Sequence, residues 1–163
     1  MVPGVLMGTP KKTVGGAAAA LALAVGLIAP WEGKENDPYR DIVGVWTVCY
    51  GETRVPMRKY SDAECKVMLD KAAGGFQKKV LKVNPQLINY PYQLAAATSL
   101  AYNIGAAAYK GSTAARKFNQ GDYIGACNAF KSWNKVRKNG VLVVSNGLVN
   151  RRNAEVRLCY QGF

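Results

Sequence analysis

The stretch "WEGKENDPYRDIVGVWTVCYGET" at residues 31–53 holds five of the chain's ten acids, Glu32, Glu35, Asp37, Asp41 and Glu52, in a chain of net charge +12. Acids gathered in one place on so basic a chain call for a chemical reason. The stretch reads as a helix end carrying Glu32, a turn rich in Asn, Asp and Pro at 36–38, and two short strand-like pieces. The clearer piece is "GVWTVCYG", with Val45, Thr47 and Cys49 predicted on one face and Trp46, Val48 and Tyr50 on the other. The local expectation is therefore a helix terminus facing a small hairpin or sheet.

Hydrolysis of a glycosidic bond uses two carboxyl groups in unlike surroundings, one protonated and one ionised. Glu32, beside Trp31 and an apolar helix, is the candidate acid, because desolvation disfavours a charged carboxylate. Asp41, in a polar turn, is the candidate ionised partner, and the Thr47 hydroxyl could hold the attacking water. Spacing alone leaves an alternative, in which Asp37 and Asp41 only shape turns and Glu32 pairs with a surface lysine.

The chain has 163 residues, 49% of them hydrophobic, which suits a single domain with a real core. An excess of 22 Lys and Arg over 10 Asp and Glu favours a polyanionic partner: nucleic acid, anionic lipid or an acidic wall polymer. The absence of His excludes Ser-His-Asp and Cys-His sites and any His-containing zinc site, and no metal or cofactor is expected. Cys49, Cys65, Cys127 and Cys159 form no CxxC pair; their even number fits two disulfides outside the cytoplasm, with four buried thiols as the competing reading. No glycine loop has the spacing of a phosphate cradle. The stretch "KSWNKVRKNGVLVVSNG" at 131–147, with a turn-like "KNG" before "VLVV", reads as a solvated basic face near anionic wall or lipid, and no nucleic-acid partner is expected. "INYPYQLAAA" at 88–97 reads as an aromatic turn leading into a helix, with its aromatics used for packing.

From Thr13 through Trp31 there is no charge, and Lys11 and Lys12 stand just before. That length lies at the lower edge of a membrane span, and the lysine pair would keep the N-terminus inside. Residues 1–12 read as a cytosolic tail, 13–30 as a weakly hydrophobic anchor segment, and 31–163 as the catalytic domain. The segment is poor in large apolar side chains and rich in Gly and Ala, so it makes a weak permanent anchor. A signal peptide cut near "ALA" at 22–24 is one alternative. A buried soluble helix with Leu21, Val25 and Ile28 inward is another, and one segment can be a membrane helix in one state and a packed helix in the next.

Glu32 followed by Gly33, Asp41 after eight intervening residues and Thr47 after five more resembles the pattern of the phage-type lysozymes, glycoside hydrolase family 24. The resemblance continues through "SDAECKVMLDK" at 61–71, "SLAYNIG" at 99–105, "GSTAARKFNQGDY" at 111–123 and "GLVNRRNAE" at 147–155. It implies an α+β fold: a mainly helical larger lobe, a small lobe with a short antiparallel sheet, and a cleft between them for a glycan strand. It also implies a monomeric muramidase cutting between N-acetylmuramic acid and N-acetylglucosamine in peptidoglycan, usually with inversion. By motif match Glu32 is the general acid, Asp41 and Thr47 handle water, Arg151 pairs with the glutamate, and Asn103 takes a polar cleft position. At Glu52 the chain departs from the His of the T-even phage enzymes, and no role is assigned there. The family fold also favours pairing Cys49 with Cys65 and Cys127 with Cys159.

The apolar run ending at the catalytic glutamate resembles the signal-anchor-release endolysins of lambdoid phages, the phage 21 type especially. That implies export uncut by the host secretion machinery, tethering of an inactive enzyme on the periplasmic side of the inner membrane, and later release into the periplasm. With no Cys before Cys49, activation by refolding is expected over disulfide exchange. The rival functions are a lytic transglycosylase on the same bond and a non-catalytic cationic protein acting on membranes.

Overall fold

The computed structural model describes residues 9–12 and 16–163. Most of the expected cytosolic tail, 1–8, and the start of the expected anchor, 13–15, lie outside the described residues. The described end of the tail is seated on the body: Pro10 is buried, and Lys11 N–H donates to the Gly162 carbonyl at 2.8 Å.

Helix α1 (Gly16–Glu32) buries Gly16, Ala20, Ala24 and Ile28, one residue every fourth position, with Val25 beside them. A stripe of this spacing lies along one helix face, and three of its four members are small. Leu21, predicted inward, is only partly buried. Small side chains let α1 lie close against α3 (Pro91–Ile104): a Cβ added at Gly16 would stand 2.9 Å from the Ile88 carbonyl oxygen and 3.5 Å from Pro91 Cβ. Among the described residues no helix is long and apolar enough to cross a membrane. The 17 residues of α1 extend about 25 Å, short of the ~30 Å hydrocarbon core. Gly33, at φ +68°, ends the helix in the left-handed region that glycine occupies freely.

The chain then forms an antiparallel hairpin, β1 (Glu35–Arg40) with β2 (Trp46–Cys49), pairing Tyr39 with Thr47 and Arg40 with Trp46. The turn expected at 36–38 is instead part of β1. Its turn-forming residues cause a register shift between Glu35 and Tyr39, where Pro38 has no N–H to give a ladder. Asn36 is held from outside, donating through Nδ2 to the Tyr60 carbonyl at 2.8 Å and accepting from Tyr60 N–H at 2.9 Å. Thr47, Val48 and Cys49 are all buried, so the end of β2 is covered on both faces. Cys49 adopts φ +60°, and Glu52 folds back to exchange both backbone hydrogen bonds with Val48.

Helix α2 (Asp62–Val83) begins with a reciprocal capping box between Ser61 and Glu64 and runs from the small lobe into the helical body. Every residue of α3 from Gln93 to Ala101 is buried, which makes it the central helix. Short helices α4 (Ala106–Lys110), α5 (Thr113–Asn119) and α6 (Tyr123–Ala129) follow. A second hairpin, β3 (Lys135–Lys138) with β4 (Val141–Val144), leads into α7 (Asn146–Cys159). Its loop is Asn139-Gly140, both at positive φ, the two-residue connection that matches strand twist. This second sheet adds to the single one expected. Disulfides Cys49–Cys65 and Cys127–Cys159 join β2 to α2 and α6 to α7, and no cysteine is free.

Candidate active site

Glu32 is the last residue of α1, and its Oε1 accepts from Arg151 Nη1 at 2.9 Å. The glutamate side chain is 25% exposed and the arginine 6%. Trp31, expected to wall off the carboxylate, is itself exposed, so a buried arginine and not an indole sets the surroundings of Glu32.

Arg151 belongs to a buried run of alternating charge on α7. Its Nε lies 3.8 Å from Glu155 Oε2, and Glu155 is fully buried. Glu155 also accepts from Ser99 Oγ at 2.5 Å and Arg152 Nη2 at 3.1 Å. Arg152 Nε approaches Glu155 Oε1 to 2.6 Å without the alignment of a hydrogen bond, so that edge of the pair is Coulombic. Arg152 Nη1 in turn donates to the Trp133 carbonyl at 3.3 Å. Burial pushes the Glu155 carboxyl up and the Arg152 guanidinium down, and each opposes the shift of the other. The guanidinium holding Glu32 is thus shared with a second carboxylate.

Beside Glu32 opens a recess of about 490 Å³ lined by Glu32, Gly33, Lys34, Glu35, Tyr39 and Cys49. A larger recess of about 570 Å³ lies among Lys79, Lys82, Lys110 and their neighbours, but no carboxylate lines it. Chemistry, not size, therefore selects the first. Thr47 is buried directly across the hairpin from Tyr39, and its Oγ1 donates to the Val45 carbonyl at 3.0 Å. Asp41 sits at the hairpin tip, where Oδ1 accepts from Val43 N–H at 3.0 Å and Val45 N–H at 2.8 Å. It does shape a turn, as the alternative reading held, but that duty uses Oδ1 and leaves Oδ2 outside the turn. Neither Asp41 nor Thr47 lines the recess itself.

Asn103 is exposed on the last turn of α3 and does not line the recess. Glu52 is partly buried beyond its backbone bridge; burial raises its carboxyl, with Lys71 opposing. Tyr102, which the sequence reading did not single out, packs at 5.3 Å on the Phe76 ring. Its hydroxyl is pushed up to about 12 by burial first, then by the charges of Glu32 and Glu52, with Arg151 opposing. The available signal was a phenol in an Ala-rich helix next to Asn103. Glu155 was legible as the lone acid of the last motif but had no stated partner.

Residues 29–155 match the phage lysozyme family model. The SAR-endolysin of Pseudomonas phage phiKMV is 45% identical over 93% of this chain and 93% of its own. That of Enterobacteria phage P21 is 36% identical over 91% and 92%. Among solved structures, the active form of the P1 phage endolysin Lyz, 23% identical, aligns over 90% of this chain and 94% of its own with a TM-score of 0.70. Its secreted inactive form, at 21% identity over 86% and 94%, reaches 0.54. The fold is therefore closer to the first of these two structures. With the family model spanning the acid-bearing hairpin, the central helix and the paired arginine alike, the chain belongs to the phage lysozyme family and is a lysozyme.

Proposed function

We propose that this lysozyme is a phage endolysin held inactive by its N-terminal segment in the bacterial inner membrane. It becomes active when α1 leaves the bilayer and packs on the body. One observation carries the reading: Glu32 is both the last residue of α1 and the partner of Arg151. Docking of α1 and assembly of the site are then a single event. The SAR-endolysin names of the relatives and the Gly and Ala stripe of α1 support it. Small residues insert weakly into lipid yet allow close helix packing in water.

In the working enzyme Glu32 protonates the oxygen between N-acetylmuramic acid and N-acetylglucosamine in peptidoglycan. Asp41, through Oδ2, and Thr47 hold the water that attacks the sugar from the other face, giving inversion. Arg151 orients Glu32, and Glu155 orients Arg151. The site lies in the periplasm, reached by the host secretion machinery with the N-terminus left in the cytoplasm, and the released enzyme works as a monomer.

The decisive experiment is digestion of purified Gram-negative peptidoglycan by the oxidised, detergent-free chain, with the fragments weighed. Muramic acid ends carrying an added water support the reading, and Glu32→Gln should lower the rate ~10²–10⁴-fold while keeping the melting temperature. Anhydro ends would reassign the enzyme as a transglycosylase. Lysis undiminished in Glu32→Gln would make it a non-catalytic membrane-active protein. Membrane fractionation before and after depolarisation tests the tether; a chain that never sediments with membranes would refute it.

A further inference from the structure

The β3–β4 hairpin has no part in the site just described, yet its composition is unusual. Between Tyr123 and Ala154 the chain has no acid and six cations, Lys131, Lys135, Arg137, Lys138, Arg151 and Arg152. Arg151 and Arg152 of α7 are buried, whereas the three cations of β3 are exposed. Among the described residues none of those three makes an ion pair; Arg137 Nη1 donates to the Gly140 carbonyl at 2.8 Å.

Directly paired residues of an antiparallel ladder share a face. Lys135 with Val144 and Arg137 with Leu142 therefore occupy one face, and Val136 with Val143 and Lys138 with Val141 the other. Val136 and Val143 are partly buried, while Leu142 and Val144 on the first face are 55% and 56% exposed, beside the exposed Lys135 and Arg137. The outward surface thus interleaves cations with branched apolar side chains.

We propose that this hairpin is a docking surface for an anionic phospholipid bilayer, distinct from α1. A bilayer interface satisfies both halves of the pattern, phosphates meeting Lys135 and Arg137 and the headgroup-acyl boundary taking Leu142 and Val144. A glycan strand would leave the apolar half unused. A second copy of the chain would set cation-bearing strands against each other on a molecule of net charge +12. Docking would keep the released enzyme beside the membrane it has left, where α1 no longer holds it.

The test uses the full chain in its folded, released form, with vesicles of phosphatidylglycerol and phosphatidylethanolamine set against phosphatidylcholine alone. Because α1 is common to all variants, differences report the hairpin. Combined Lys135→Glu and Arg137→Glu should weaken binding to the anionic vesicles by on the order of 100-fold, and Leu142→Asp should weaken it at any salt concentration. Digestion of soluble glycan fragments and the melting temperature should not change, as these side chains are exposed. Unaltered vesicle binding in both variants would overturn the proposal. So would a loss confined to binding of purified sacculi, which marks a substrate surface, or a wild-type dimer that the variants abolish.

Discussion

The two helices that meet at the site are built on opposite principles. Helix α1 carries no charge until its final residue and packs through Gly16, Ala20 and Ala24, while α7 buries Arg151, Arg152 and Glu155 and is fixed at Cys159 by a disulfide. Close packing of small side chains seats α1 on α3 through apolar contact and few polar ties, whereas α7 adds an ion network and a covalent link. The difference teaches where a switch can reside. In the proposed release α1 is the partner that moves and supplies the acid, and α7 supplies the arginine that receives it.

The comparison can be broken most forcefully on the α7 side. Glu155→Ala removes a fully buried side chain and leaves Arg152 without its counter-charge, so urea denaturation should show a loss of about 3–5 kcal/mol. Replacing Cys127 and Cys159 by Ser opens a loop with a sequence separation of 32, and the same assay should register about 3–4 kcal/mol. On the α1 side the effects should be smaller in stability but visible in function. Gly16→Leu forces a side chain against the Ile88 carbonyl and Pro91, with an expected cost of about 1–3 kcal/mol. Activity should then fall in step with the fraction of molecules whose helix is undocked, read by protease access to α1. The smallest effect is expected for Gln77→Ala, which deletes the bond from Gln77 Nε2 to the Ala17 carbonyl at 2.9 Å. A loss near 1 kcal/mol with unchanged kcat would assign Gln77 to holding α1 and not to chemistry. Loss of kcat with α1 still docked would mean that the two helices are not separable in this way.

Much of this contrast could be read before any coordinates. An uncharged run of Gly and Ala that ends at a glutamate, an acidic cluster on a basic chain and an even set of distant cysteines are local properties, written in residue type and spacing. The capping box at Ser61 and the Asn139-Gly140 turn are local too, because a cap or a tight turn depends on a few neighbouring dihedrals. Pro38 was misjudged for the complementary reason: a tertiary tie from Tyr60 overrides the turn pattern of the segment.

Sequence alone thus determined which residues could do acid chemistry and which segment is uncharged and built of small side chains, since both follow from side-chain type and spacing. The tertiary structure brings Glu32 to Arg151 across 119 residues of chain, the pairing the family resemblance implied, and it alone decided that Glu155 stands behind that arginine. It also decided that Trp31 faces solvent. Burial and partner choice are set by what α3 brings together around itself, and the free energy of a charge depends on that company and not on its neighbours in sequence.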